Sequence, residues 1–216
     1  MNNWINLFLQ EVLDKKRLEL LPYFSYIKDM WFYLAGGTGL ALQLGHRQSI
    51  DFDFFIKWNF DENQLFEELL KIFKSQAIKK IFSEKNTLYV EVGGVKISFF
   101  GYDYGLVKNL IETSYFNLAS IEDIGAMKLW AIQKRATNKD YVDLYYILKK
   151  VWLNKLLEYF FMKYWNVVSE YLILKSLIYF DDIENDSLVL LDKWLDFEKV
   201  KNWLVEIVKE YEKFTS

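Results

Sequence analysis

From Trp4 to about Lys28 the apolar residues return every three or four positions, the repeat of a helix with one buried face, and Pro22 divides that run in two. Phe32 to Ala35 is a short apolar run stopped by Gly36-Gly37-Thr38-Gly39. Leu40, Ala41, Leu42 and Leu44 then resume at helical spacing, which predicts strand, glycine turn and short helix. In Ile50 to Ile56 Asp alternates with Phe, the period of a half-buried strand, and Asp61 to Lys74 is a charged amphipathic helix. Thr87 to Val92, Gly93-Gly94 and Val95 to Phe100 form the clearest hairpin in the chain. Beyond about Ser114 the strand pattern ends. Ser120-Ile121-Glu122-Asp123 has the form of a helix cap, with Ile124, Met127, Ala131 and Ile132 as the buried stripe that follows. Thr137 or Asn138 can cap a further helix to about Lys150, and helical patterns continue almost to the C-terminus, broken by a polar turn from Asp181 to Ser187. The expected class is α+β, with an α/β core and N-terminal helices over 1–113 and a helical domain over 114–216. No Pro-, Gly- or Ser-rich linker separates the two.

Composition narrows the chemistry. With 216 residues, 52% of them apolar, the chain can bury a large core, and its 19% aromatic residues are interleaved with Lys and Glu as core faces are. Zero Cys removes disulfides, Cys-ligated zinc, iron–sulfur clusters and thiol nucleophiles, and the single His46 removes multi-histidine metal sites. Carboxylates must do any metal work. A net charge of −3 gives no global pull toward nucleic acid. The N-terminal segment lacks the layout of a signal peptide and no stretch approaches a membrane span, so a cytoplasmic protein without a membrane partner is expected.

The densest signal runs from Gly36 to Phe55. On a strand Asp51 and Asp53 point the same way, about 6.5–7 Å apart, while Phe52 and Phe54 point into the core. Two carboxylates on one face repel each other until a divalent cation removes that cost. Mg²⁺ takes oxygen ligands and leaves positions for substrate phosphates. A Gly-Gly-Thr turn opening a helix lets backbone N–H groups approach a phosphate, although it carries no P-loop lysine. Arg47 is a candidate phosphate contact, and Ser49 stands at the strand entry. Lys128 falls in the stripe of Ile124, Ala131 and Ile132, where a lone cation is costly; either its stem snorkels outward, or an anion, a triphosphate or an Asp, meets it. Asp140 and Asp143 share one face of the next helix.

These segments resemble the AbiEii/AbiGii toxin group of the nucleotidyltransferase superfamily. The group's pattern Gly-Gly-Thr-x-Leu-Ala-Leu, then His-Arg-x-Ser-x-Asp-x-Asp-Phe-Phe, is met at every letter between Gly36 and Phe55. A second match covers Asp123 to Arg135 and Lys139 to Leu148, and a weaker third covers Tyr179 to Asp182. The resemblance implies a mixed-sheet nucleotidyltransferase core followed by a helical half. It also implies Mg²⁺-dependent transfer of a nucleotide from an NTP, with a tRNA 3′ end or other RNA among the acceptors, by the toxin of a toxin–antitoxin or phage-defence system with a cognate antitoxin. By that resemblance Gly36, Gly37 and Thr38, with Arg47 and Ser49, hold the nucleotide; Asp51 and Asp53 hold the metal; Lys128 with Asp140 or Asp143 forms the second cluster, Lys128 and Asp143 being catalytic.

One position departs from the pattern. The strand that usually adds a third carboxylate reads Val95-Lys96-Ile97-Ser98-Phe99, with Ser in the Asp place. The third ligand is then open among Glu91, Asp103, Asp143 and none. A catalytically weakened nucleotide-binding or interaction protein of the same fold is the alternative that this departure raises.

Overall fold

The computed structural model describes residues 4–165 and 167–215; of the readings above, only Met1–Asn3, Asn166 and Ser216 fall outside it. Two compact units divide the chain: Met1–Gly105 with Asn109–Ser120, and Leu106–Lys108 with Ile121–Ser216.

In the first unit the N-terminal run forms α1 (Trp4–Val12), α2 (Lys15–Leu20), a 3₁₀ turn (Leu21–Tyr23) and α3 (Phe24–Asp29), with Pro22 inside the 3₁₀ turn, where its missing N–H costs nothing. β1 (Tyr33–Ala35) leads through the glycine turn into α4 (Gly36–Leu44), followed by β2 (Phe52–Ile56), α5 (Glu62–Ile72), β3 (Ile78–Glu84), β4 (Thr87–Val92), β5 (Val95–Gly101), β6 (Ile111–Glu112) and β7 (Asn117–Leu118). Asp61 caps α5 by accepting from the N–H groups of Asn63 and Gln64, at 2.9 and 2.8 Å. The seven strands make one mixed sheet in the order β3-β4-β5-β2-β1-β7-β6. β2 runs antiparallel to β1 and parallel to β5, and β7 runs parallel to β1.

Alternation assigns the faces. Phe52, Phe54, Leu88, Val90, Val92, Ile97 and Phe99 are buried on one face, where Phe24 of α3 meets the rings of Phe52 and Phe54 edge-on at 4.7 and 5.1 Å. Each buried Phe contributes about 1.5–3 kcal/mol. This side fixes the register of the sheet, because a slip of one residue would exchange it with the opposite face. On that opposite face lie Asp53, Ser98 and a seam of rings, Tyr33 on Phe55 and Phe55 on Phe100, at 6.0 and 5.0 Å.

The structure corrects the expected end of the strands at Ser114. β7 follows at Asn117–Leu118, and Leu118 lies opposite Leu34 of β1, one strand in from the sheet edge. The strand expected from Ile50 begins at Phe52, leaving Asp51 just ahead of it.

The second unit is helical: α6 (Ile121–Lys134), α7 (Asn138–Leu148), α8 (Leu153–Tyr164), α9 (Glu170–Leu177) and α10 (Phe197–Thr215). Thr137 caps α7 in a reciprocal box with Asp140. Trp130 of α6 stacks on Tyr164 of α8 at 4.9 Å. Met127 and Ala131 are half-buried; the fully packed face of α6 is Ile124, Ala126, Leu129 and Ile132. Asp123, expected near a helix cap, is instead buried with Lys163 of α8 at 2.9 Å, and its carboxylate accepts from the N–H groups of Val107 and Lys108 at 2.9 and 3.1 Å. Neither charge is left unsatisfied, which is the condition for burying them. Among the described residues no helix is long and apolar enough to cross a membrane.

Candidate active site

The glycine turn is shaped by what presses on it. Gly36 has φ +62°, in the left-handed region, and a Cβ there would lie 2.6 Å from Asp53 Oδ2; a Cβ on Gly37 would collide with the Arg47 guanidinium. Gly36 thus disfavours any side chain by its backbone conformation and by the carboxylate pressing on it, whereas a side chain at Gly37 would require the Arg47 guanidinium to shift. The turn opens α4, whose first backbone N–H groups have no partner within the helix, so unfilled donors and the helix's positive end lie beside the Asp53 carboxylate.

Thr38, Ser49 and Asp51 form one clamp. The Thr38 hydroxyl is buried, 1% exposed, lies 2.7 Å from Ser49 Oγ and donates to the backbone carbonyl of Asp51. It ties the start of α4 to the residues that enter β2, and so fixes where the Asp51 backbone sits. Ser49 also donates its backbone N–H to the Val12 carbonyl at 3.3 Å. Arg47 is buried and donates to the Gln48 carbonyl at 3.0 Å.

Asp53 lies between Ala35 of β1 and Ser98 of β5. Ser98 therefore occupies the neighbouring-strand position from which a third carboxylate would reach the Asp51/Asp53 pair. Two of the other candidates stand elsewhere in this unit. Glu91, on β4, is two strands from β2 and 3.9 Å from Lys79; Asp103 is exposed beyond the end of β5. Asp143 belongs to the helical unit, where it is paired. Among the described residues no group of three or more His, Asp or Glu is placed to hold a metal ion. The donors whose chemistry fits Mg²⁺ are carboxylate oxygens: Asp53, on the sheet face beside the glycine turn, and Asp51, which precedes β2 and lies outside its alternation.

In the helical unit Lys128 is not a lone cation. Its ammonium lies 2.7 Å from Asp140 and 2.8 Å from Asp143, the latter with a fully buried side chain. Asp140 also accepts from the N–H and hydroxyl of Thr137, at 3.1 and 3.0 Å. Of the alternatives open for Lys128, an aspartate partner is what the structure contains, and there are two. Sequence reasoning missed the buried Asp123–Lys163 pair altogether. Its partners are forty residues apart and no local pattern joins them.

Comparison with known proteins agrees with this architecture. The family model described as nucleotidyl transferase AbiEii toxin, of Type IV toxin–antitoxin systems, matches residues 27–200. The uncharacterized protein aq_aa25 of Aquifex aeolicus (strain VF5) is 35% identical over 185 residues, 83% of this chain and 87% of that protein. Among solved structures, MenT4, a nucleotidyltransferase toxin from Mycobacterium tuberculosis H37Rv, is similar with a TM-score of 0.58 at 16% identity, over 95% of this chain and 89% of its own. JHP933 from Helicobacter pylori is similar with a TM-score of 0.51 at 17% identity, over 94% and 96%. These two likenesses concern the fold; the family match spans the glycine turn, both aspartates and the Lys128 cluster, and with it the chain belongs to the AbiEii nucleotidyltransferase toxin family.

Proposed function

We propose that the protein transfers a nucleotide from an NTP to an RNA acceptor, such as a tRNA 3′ end, as the toxin of a toxin–antitoxin or phage-defence pair in the cytoplasm. The observation that carries this reading is the meeting of Asp53 with the Gly36 turn, which puts a carboxylate face and a set of unfilled backbone donors side by side. A triphosphate with its counter-ion needs both. Mg²⁺ held by Asp51 and Asp53 would neutralise the triphosphate and favour in-line attack with pyrophosphate as leaving group. Around it the chain's own residues divide the work. The amides of Gly36, Gly37 and Thr38 hold phosphate oxygens; the Thr38–Ser49 clamp keeps Asp51 in place; Arg47 supports the turn from beneath. Lys128, Asp140 and Asp143 are assigned to the same activity because their segment matches the family's second motif. A cognate antitoxin completes the system.

Ser98 opposite Asp53 favours a second reading, a nucleotide-binding protein of weakened catalysis, since a serine cannot take the proton of an attacking hydroxyl as a carboxylate can. Transfer of label from each NTP onto total RNA separates the two. Transfer by the wild type, lost in Asp51→Asn and Asp53→Asn with the fold intact, supports the enzyme. Mg²⁺-dependent NTP binding without any transfer supports the second reading, and unchanged binding in both variants refutes the metal assignment.

A further inference from the structure

The sheet face that carries Asp53 also carries a cation not yet assigned. On β5, Val95, Ile97 and Phe99 are buried in the core, so Lys96, Ser98 and Phe100 share the opposite face. The register sets Ser98 between Asp53 of β2 and Tyr89 of β4. Lys96 lies directly across from Glu91, yet Glu91 is 3.9 Å from Lys79 on its other side. The exposed Lys96 instead lies over the Tyr89 ring, its ammonium 4.9 Å from the centroid. Tyr89 is the cross-strand partner of Ser98. The ammonium thus stands over the β4 end of the row Tyr89–Ser98–Asp53, with Ser98 between it and Asp53, which is two strands away.

The electrostatics of this place are the reverse of a third carboxylate's. A small hydroxyl and a positive charge stand where another anion would complete an all-acid metal site. Two aspartates alone repel a phosphate, and a lysine about two strand spacings from Asp53, about 10 Å, offsets part of that repulsion for a phosphate seated between them. An exposed cation–π contact is weak enough to be exchanged for an anion. The geometry points to a phosphate subsite formed by Lys96 and Ser98 beside the Asp51/Asp53 pair. It rests on the nucleotidyltransferase reading above and extends it: the phosphate belongs either to the NTP or to the backbone of the RNA acceptor, and the chemistry of recognition is the same for both.

Two equilibrium titrations on the full chain tell the sources apart, one with NTP and Mg²⁺ and no RNA, the other with a single-stranded RNA oligonucleotide and no NTP. In Lys96→Gln one of the two affinities falls about tenfold, as for loss of a charged hydrogen bond, and it falls further in Lys96→Glu. The titration that weakens names the source. Lys80→Gln serves as control. Lys80 is on the neighbouring hairpin strand, bonded to Asn63 at 3.0 Å and lying over the Phe66 ring, away from the Asp53 face, and both affinities stay at wild type. Thermal melting certifies that the variants are folded. Wild-type affinities for both ligands in Lys96→Gln and Lys96→Glu overturn the subsite, as does an equal loss in Lys80→Gln, which would report only a general field. Asp53→Asn, run in parallel, separates this failure from that of the parent reading. If Asp53→Asn abolishes NTP binding while the Lys96 variants bind normally, only the subsite is wrong. If Asp53→Asn binds NTP normally, the metal assignment fails and the subsite falls with it.

Discussion

Replacing Thr38 by Val keeps the shape of the side chain and removes only the hydroxyl, so it isolates the clamp on Asp51. The hydroxyl is 1% exposed and serves two groups, Ser49 Oγ at 2.7 Å and the Asp51 carbonyl. A buried polar group deprived of its partner costs about 1–3 kcal/mol. Ser49 is buried and carries most of that cost, while Asp51 is half-buried and its carbonyl is partly rewetted, which brings the total to about 2–4 kcal/mol. For a chain of this length the melting temperature should fall by about 5–15 °C, and Thr38→Ser, which restores the hydroxyl, should recover most of it. Thermal denaturation of the three proteins without ligand measures this directly. The second measurement is NTP binding at a temperature where all three are folded. If the hydroxyl positions Asp51, Thr38→Val needs more Mg²⁺ to reach the wild-type NTP affinity and saturating Mg²⁺ recovers much of the loss. A Thr38→Val protein that melts like the wild type but binds NTP poorly at every Mg²⁺ concentration would refute the clamp and make the hydroxyl a phosphate ligand.

Lys128→Met should lower stability by about 3–5 kcal/mol, because Asp140 and the fully buried Asp143 lose their shared counter-charge; chemical denaturation reads it, and a variant as stable as wild type means that these carboxylates are compensated otherwise. Ser98→Asp should tighten Mg²⁺ binding by adding a carboxylate directly across from Asp53, at some cost in stability without metal from crowding three anions; melting with and without Mg²⁺ decides it, and no gain in Mg²⁺-dependent stabilisation refutes the placement. Burial, and secondly the charge of Asp140, pushes the Tyr141 phenol up to about 12, and its hydroxyl donates to the carbonyls of Ser176 and Tyr179. The raised value favours the neutral form in the folded state, so its contribution is fully present below about pH 10 and is lost as pH rises toward 12. An alkaline unfolding midpoint unchanged in Tyr141→Phe would contradict this.

What could be read from the sequence was what a local pattern encodes. β2 and the β4–β5 hairpin follow from strict alternation, and the Thr137 cap from residue type and spacing. The glycine turn was legible because backbone sterics act there over a few residues, whereas the start of β2 at Phe52, which leaves Asp51 ahead of the alternation, was not. β3 was not, since six of its seven residues are exposed at the sheet edge and its register shifts between Lys80 and Phe82, so no alternation survives. β6 and β7 have two residues each, too few for any period, and their pairing is decided by partners distant in sequence. Lys128 announced itself as a cation out of place, but only the fold could supply Asp140 and Asp143 together.

The Asp123 carboxylate holding the backbone of Val107 and Lys108 bears on how the chain can be divided. Three residues of the helical unit are written into the middle of the α/β unit's sequence, between β5 and the last two strands. No single cut in the polypeptide yields both units whole. A fragment ending at Ser120 carries Val107 and Lys108 away from Asp123. One ending at Gly105 forfeits β7, and with it the strand beside β1. A piece beginning at Ile121 would keep the Asp123–Lys163 pair but lack the two N–H groups that also satisfy the carboxylate, so each half of this protein depends on residues that the order of the chain places within the other.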